Sequence, residues 1–319
     1  MSVTDRCNFR CPYCMPREAF GPDHPFLPRS ALLTFEELAR LTRIFATLGV
    51  RKLRLTGGEP LLRQDLPDLV RMLAAIPDLE DLALTTNGAL LAALAQPLRR
   101  AGLQRLTVSL DTLRPDRFQR LGGTTLPLTQ ILGGLDAARD AGFAPIKLNC
   151  VVQRGVNDDE LLDLAAFARE GGHVLRFIEF MDVGTTNGWR RDAVVSAEEI
   201  RRCLDRHWPL EPLAPTENAV AHGWRYRDGK GEVGLIASVT APFCGGCDRA
   251  RLSAEGRLYT CLFAAEGLDL RGFLRGGHSD SDLAALLAAR WRLRDDSYSE
   301  QRAATAPGRT RIEMSRIGG

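Results

Sequence analysis

The chain has 319 residues, enough for a large core or for two domains. Apolar residues make up 45% and charged residues 26%, as in a globular enzyme, and the formal charge of +2 gives no electrostatic reason to expect a nucleic-acid or membrane partner. No apolar run reaches the ~18 residues of a membrane span, and Met1-Ser2-Val3-Thr4-Asp5-Arg6 does not open like a signal peptide. A cytoplasmic protein is therefore predicted, with its eight cysteines as thiols or metal ligands rather than disulfides. Lys52, Lys147 and Lys230 are the only lysines among 42 basic residues, so a lysine is the more informative cation here.

A short β-like segment, Ser2–Thr4, leads into Cys7-Asn-Phe-Arg-Cys11-Pro-Tyr-Cys14. Three thiols this close suit an iron–sulfur cluster, and three ligands on a four-iron cube leave one iron open for chemistry. The alternative is a zinc knob, for which His24 is the nearest fourth ligand.

From residue 31 to about 181, short β-rich runs alternate with helical patterns. The runs are Lys52–Thr56, Leu82–Thr86, Arg105–Leu110, Ile146–Val152 and Val174–Met181. The first helix, Phe35–Leu48, carries Phe35, Leu38, Leu41, Phe45 and Leu48 on one face, with a Thr34/Glu37 capping box before it and Gly49 after it. This rhythm predicts parallel strands joined by crossover helices, an α/β fold. Within the runs, Leu53 and Leu55 alternate with Arg54 and Thr56, Leu82 and Leu84 with Ala83 and Thr85, and Leu106, Val108 and Leu110 with Thr107, Ser109 and Asp111. Ile146, Leu148, Cys150 and Val152 alternate with Lys147, Asn149 and Val151. One polar and one apolar face suits a barrel that packs helices outside and a polar ligand inside. The last run leaves its register open, because Arg176 shares parity with Ile178 and Phe180. Cys150 is expected in the core, and so is Cys203, within a helix capped by Ser196 and Glu199.

After Gly184-Thr-Thr-Asn-Gly188 the rhythm stops, which divides the chain into a barrel over residues 1–185 and a C-terminal region over 186–319 packed on it. In that region Cys244-Gly-Gly-Cys247 is followed by Cys261 with thirteen residues intervening, again three thiols and not four. His278 could complete a Cys₃His zinc site, so zinc stays open here too. Arg249 and Arg251, at i and i+2, make a fork suited to phosphate oxygens. Residues 295–312 read as polar and weakly ordered.

The first triplet resembles that of the radical S-adenosylmethionine superfamily, with cysteines spaced three and two residues apart. That resemblance implies a [4Fe-4S] cluster whose open iron chelates S-adenosylmethionine, and a partial or complete parallel βα barrel, read here as a partial (βα)6 barrel like a TIM barrel. It also implies cofactor contacts from Tyr13, from Gly58 in Gly57-Gly58-Glu59-Pro60, from Ser109 and from Met181. The stretch Ser2–Pro16, Thr85-Thr86-Asn87-Gly88, Lys147-Leu-Asn149, Phe177–Met181, the second triplet and the terminal Gly318-Gly319 together resemble the GTP 3′,8-cyclase family of molybdenum cofactor biosynthesis.

The family implies a second [4Fe-4S] cluster on Cys244, Cys247 and Cys261, with GTP bound by Arg54, Thr85, Lys147, Arg249 and Arg251 and the Gly318-Gly319 tail reaching into the active site. The reaction would be conversion of GTP to 3′,8-cyclo-7,8-dihydro-GTP, passed on to cyclic pyranopterin monophosphate synthase. An electron donor and a homodimer are also implied. Family members carry an arginine upstream of Ser2 that helps hold phosphate; the sequence opens at Met1 without it, which predicts weaker GTP binding or an earlier start. The rival expectations are a peptide-modifying radical enzyme and a zinc-stabilised interaction protein.

Overall fold

The computed structural model describes residues 1–215, 218–302 and 311–318. Five parallel strands, β1 (Lys52–Leu55), β2 (Asp81–Thr86), β3 (Arg105–Ser109), β4 (Lys147–Val152) and β5 (Val174–Glu179), lie side by side in chain order. Ser2 forms a parallel bridge to Thr56, adding a sixth position before β1. The helices α1 (Phe35–Thr47), α2 (Leu66–Ala74), α3 (Leu91–Arg100), α4 (Pro115–Gly122), α5 (Leu128–Asp140) and α6 (Leu161–Glu170) fall between the strands. The sheet does not close into a barrel. It continues instead past helix α7 (Ala197–His207) through β6 (Leu210–Pro212), β7 (His222–Tyr226) and β8 (Glu232–Ile236), in the order β5-β8-β7-β6, with β8 parallel to β5 and the last two antiparallel. The remaining strands, β9 (Arg251–Leu252), β10 (Arg257–Tyr259) and β11 (Leu268–Asp269), form a small antiparallel sheet. Four helices end the described chain: α8 (Leu270–Arg275), α9 (Asp280–Arg292), α10 (Tyr298–Gln301) and α11 (Met314–Ile317). Among the described residues no helix is long and apolar enough to cross a membrane.

Strand parity divides stability from function. Leu55, Leu82, Leu84, Leu106, Val108, Leu148, Cys150, Val152, Leu175 and Phe177 are buried in the core. Each such aliphatic or aromatic side chain contributes roughly 1.5–3 kcal/mol, so the outer face can hold the fold while the inner face stays polar. The structure also settles β5. Its pairing sets Arg176 beside Asn149 and Ile178 beside Val151, so both face inward, and the strand ends at Glu179, before Phe180. Both capping boxes form as expected. On α1, however, the buried stripe is Leu38, Leu41 and Ile44, and Leu48 is exposed, because the helix ends at Thr47 and its period cannot be carried past the cap.

Glu179 ends β5 and is buried. Its carboxylate accepts from the backbone N–H groups of Ala197, Val239 and Thr240, each at 2.8 Å, and from the Thr240 hydroxyl. It thereby ties the start of α7 and the turn after β8 to the barrel. Glu179→Ala would leave those donors without their acceptor and should cost about 3 kcal/mol. Glu179→Gln, which keeps one oxygen, should cost less. Urea midpoints of the two variants check the order.

Candidate active site

The first triplet sits on a loop at the C-terminal end of the strands. A turn closed by Cys14 N–H to the Cys11 carbonyl (3.0 Å) and Met15 N–H to the same oxygen (2.8 Å) brings Cys11 and Cys14 together. Cys7 Sγ accepts from Phe9 N–H at 3.4 Å and from the Asn87 amide at 3.9 Å. Burial pushes the Cys7 thiol up to about 11 and raises Cys11 well above its ordinary value, with the neighbouring cysteines and Asp111 adding to the rise at Cys11. The loop is seated by backbone contact. Gly58 N–H donates to the Thr4 carbonyl and Glu59 N–H to the Arg6 carbonyl, both at 2.8 Å. A Cβ on Gly57 would lie 2.6 Å from the Thr4 carbonyl oxygen, and one on Gly58 would strike that of Arg6. Only glycine allows the approach.

Glu59 then links three loops. It is buried, with its carboxyl pushed up to about 7 by burial. It accepts from Leu61 N–H at 3.0 Å, the Thr86 hydroxyl at 2.7 Å and Asn87 N–H at 2.8 Å. Asn87 in turn donates to Asn8 Oδ1 at 2.8 Å, beside Cys7. Tyr13 lies across the barrel end, its hydroxyl donating at 2.7 Å to Asp111, which also accepts from Val151 N–H. Burial pushes Asp111 up to about 6. Ser109 is on the inward face of β3, and Met181 follows β5 with its carbonyl accepting from the Asn187 amide at 2.9 Å.

The inward faces gather cations. Arg54 donates to the Thr85 hydroxyl at 2.9 Å and the Thr107 hydroxyl at 3.0 Å. Arg105 pairs with Asp81 at the strand bases. Lys147 is lowered to about 8 by burial and by Arg176, Arg105 and Arg54, and Arg176 to about 10 by burial and by Arg54 and Arg105. Asn149 Oδ1 is buried in the same lumen without a hydrogen-bond donor. Arg54, Lys147 and Arg176 have no ion-pair partner among the described residues, an arrangement that a bound polyanion would neutralise.

Arg251 lies close to both the second triplet and the Met1 amino group. Cys247 N–H donates to the Cys244 carbonyl at 3.0 Å, Arg249 reaches Cys247 Sγ at 3.2 Å, and Phe263 N–H reaches Cys261 Sγ at 3.4 Å. Burial raises Cys247, but the hydrogen bond and charge of Arg249 outweigh it and leave the thiol below its ordinary value. Arg294 also donates to the Cys247 carbonyl. Arg251 is lowered to about 10 by burial and by Arg249. With Arg54 it also depresses the Met1 amino group, which burial pushes down to about 5 and which donates to the Arg54 carbonyl, so Arg251 and Arg54 flank one spot.

The donor sets fit iron–sulfur clusters. Each is three thiols, and in each an N–H two residues on points at the sulfur, as cluster thiolates prefer. The zinc alternatives lack their fourth ligand: His24 packs between Phe20 and Phe26, and His278 packs on Phe273 with its carbonyl on Arg40. Among the described residues no three His, Cys, Asp or Glu side chains gather closely enough for a single ion.

Two comparisons of sequence fall on this geometry. Residues 1–168 match the Radical SAM superfamily and residues 173–300 match Molybdenum Cofactor Synthesis C. Proteins named GTP 3′,8-cyclase match over 100% of the chain: one from Acidothermus cellulolyticus at 56% identity covering 95% of that protein, one from Xanthomonas campestris at 53% covering 94%, and one from Staphylococcus epidermidis at 45% covering 95%. The chain belongs to the GTP 3′,8-cyclase family. It is thus a radical S-adenosylmethionine enzyme of molybdenum cofactor synthesis. The fold agrees with solved structures: anSMEcpe with bound AdoMet and Kp18Cys peptide (TM-score 0.53, 14% identity, 84% of this chain and 75% of that one) and methylornithine synthase (TM-score 0.51, 19% identity, 64% and 60%).

In this GTP 3′,8-cyclase family chain the tail enters the lumen. Gly318, at φ +68°, is buried so close to Thr56 that a Cβ would overlap its side chain. Gly319 lies outside the described residues. Part of the stretch expected to be weakly ordered is instead anchored on Asp182, whose carboxylate takes Tyr298 at 2.6 Å, Arg302 at 2.9 Å and Arg311 at 3.0 Å; residues 303–310 lie outside the described ones. Glu313 accepts from Thr185 N–H and from the hydroxyls of Thr185 and Thr186. Gly318→Ala should expel the tail, and limited trypsinolysis should then cut faster at Arg311 and Arg316.

Glu59, Asp111, Glu179, Asp182 and Arg176 are among the residues that sequence reasoning left without a role. Glu59 stood inside the Gly-Gly-Glu-Pro motif and Arg176 on a barrel strand, so both had a usable signal; Asp182 had none.

Proposed function

We propose that this chain converts GTP to 3′,8-cyclo-7,8-dihydro-GTP, with S-adenosylmethionine at the first triplet and GTP between the two. The observation that carries this reading is the set of unpaired cations, Arg54, Lys147 and Arg176, in a lumen flanked by Arg251 and the second triplet. We assign the barrel to residues 1–185 and the second cluster, on Cys244, Cys247 and Cys261, to residues 186–319. When bound, the first cluster and S-adenosylmethionine supply the radical that takes the ribose 3′-hydrogen.

The chain's own residues bind and orient. Lys147 and Arg54 hold phosphate oxygens at the lumen base, and Thr85, already accepting from Arg54, has its hydroxyl proton left to donate. Arg249 and Arg251 hold the nucleotide at the second triplet. A methionine amino group needs acceptors, and since the Gly58 N–H is engaged with Thr4, the carbonyls of that turn are what it can present. Tyr13, its phenol fixed on Asp111, offers a ring face to adenine, beside Ser109 and Met181. Gly318-Gly319 narrows the lumen. Fixing C3′ and C8 in contact supplies the orientation that the free nucleotide lacks. The enzyme would work in the reducing cytoplasm as a homodimer, draw on an electron donor and pass its product to cyclic pyranopterin monophosphate synthase.

Anaerobically purified protein should hold about eight iron and eight sulfide. With dithionite and S-adenosylmethionine it should form 5′-deoxyadenosine only when GTP is present. Turnover that ignores GTP and responds to a peptide would sink the reading; a colourless zinc protein would do the same.

Affinity should also depend on pH. The Lys147 ammonium, lowered to about 8 in the empty site, regains its proton when a triphosphate binds. GTP binding should therefore weaken as pH rises above 8, by about tenfold per unit at most, and Lys147→Gln should bind weakly with a flat profile. Anaerobic equilibrium dialysis at pH 7, 8 and 9 is the measurement.

A further inference from the structure

Glu313 stands where the returning C-terminal segment meets both the first triplet and the chain that follows β5. We infer that Glu313 is a positioning residue for the sulfonium cofactor, its carboxylate coupling the seating of the tail to the cofactor's positive charge. This rests on the S-adenosylmethionine reading of the first triplet.

Glu313 Oε1 accepts from Thr185 N–H at 2.9 Å and from the Thr185 hydroxyl at 2.6 Å, and Oε2 accepts from the Thr186 hydroxyl at 3.1 Å. Gly184, at φ +73°, lies so close that a Cβ there would overlap the same carboxylate. The loop is also tied back to the end of β5. The Asn187 amide donates to the Met181 carbonyl at 2.9 Å, and the Trp189 indole N–H donates to that of Phe180 at 2.8 Å. One short loop therefore holds both the Met181 segment and the carboxylate of the tail. From Glu313 the chain runs through α11 to Gly318, which is buried against Thr56.

The carboxylate is held but not neutralised. All three of its donors are uncharged, and among the described residues no cation lies within ion-pair distance of it. Arg311 is turned to Asp182 instead, and Arg316 lines a separate cleft with Glu255 and Glu266. Glu313 is half-buried, so water and salt screen it less than a surface charge. Its field reaches the first triplet: burial raises the Cys14 thiol, and Cys7 and the Glu313 carboxylate raise it further. An unpaired anion beside three thiolates is unfavourable by itself. S-adenosylmethionine brings the missing charge, because its sulfonium and ammonium outweigh its carboxylate. Since Glu313 reaches this place only with the tail seated, each event favours the other, and linkage makes the factor the same in both directions.

Anaerobic equilibrium dialysis of the reconstituted enzyme against S-adenosylmethionine and S-adenosylhomocysteine tests the assignment, because the second ligand lacks the sulfonium charge. Glu313→Gln should weaken S-adenosylmethionine by at least about fivefold and leave S-adenosylhomocysteine within about twofold. Hydrogen–deuterium exchange over residues 311–318 reads the reverse direction. S-adenosylmethionine should slow that exchange by about fivefold in the unsubstituted enzyme and much less in the variant. If Glu313→Gln loses iron, Thr185→Val serves: it frees one oxygen of the carboxylate and should weaken S-adenosylmethionine selectively, though by less. Equal weakening of both ligands would make Glu313 a purely structural tie and overturn the coupling. Unchanged affinity for both would overturn it as well. Failure of the unsubstituted, iron-replete enzyme to bind S-adenosylmethionine would instead strike at the reading of the first triplet.

Discussion

Uncompensated positive charge in a half-buried lumen is the constraint around which the rest of this fold is arranged. Arg54, Arg105, Lys147 and Arg176 project from β1, β3, β4 and β5, and among the described residues only Asp81 forms an ion pair with any of them. Like charges at such spacing disfavour one another, and burial adds to the cost. A protein designed only for stability would place alanine or valine there. The chain instead confines its stabilising contacts to the opposite strand face, where the leucines and valines are fully buried.

The two cysteine triplets, far apart in sequence, are both fastened to the same sheet by buried contacts. The first is laid onto the barrel by backbone packing at Gly57 and Gly58 and locked by the buried carboxylate of Glu59 through Asn87. The second arrives on the chain that follows the sheet extension, pinned to the barrel by Glu179, and Arg251 carries its charge towards Arg54. Asp182 then fastens the returning C-terminal segment beside Met181. Buried carboxylates thus act as the joints, each satisfied by donors from more than one segment.

Much of this was legible in the sequence, and the reasons for the failures are specific. Alternation placed Arg54, Thr85, Ser109 and Lys147 on one face because their strand neighbours, Thr86 apart, are aliphatic. Arg176 resisted the same logic because the apolar run was carried to Met181; once β5 ends at Glu179, Phe180 no longer bears on parity. Leu48 was placed on the buried face by extending a period beyond the helix that generates it. Glu59, Asp111 and Asp182 could not be assigned as joints, since their partners lie 28, 98 and 120 positions away in hydrogen bonds that no local pattern encodes. Tyr298 and Arg302 read as part of a loose polar stretch for the same reason.

The depressed basicity of Lys147 has a chemical corollary. An amine that sheds its proton near pH 8 is a nucleophile under conditions where an ordinary lysine is not. In a chain with only three lysines, Lys147 is therefore a selective target for aldehydes and acylating reagents. An anion bound beside it would restore the proton and remove that reactivity.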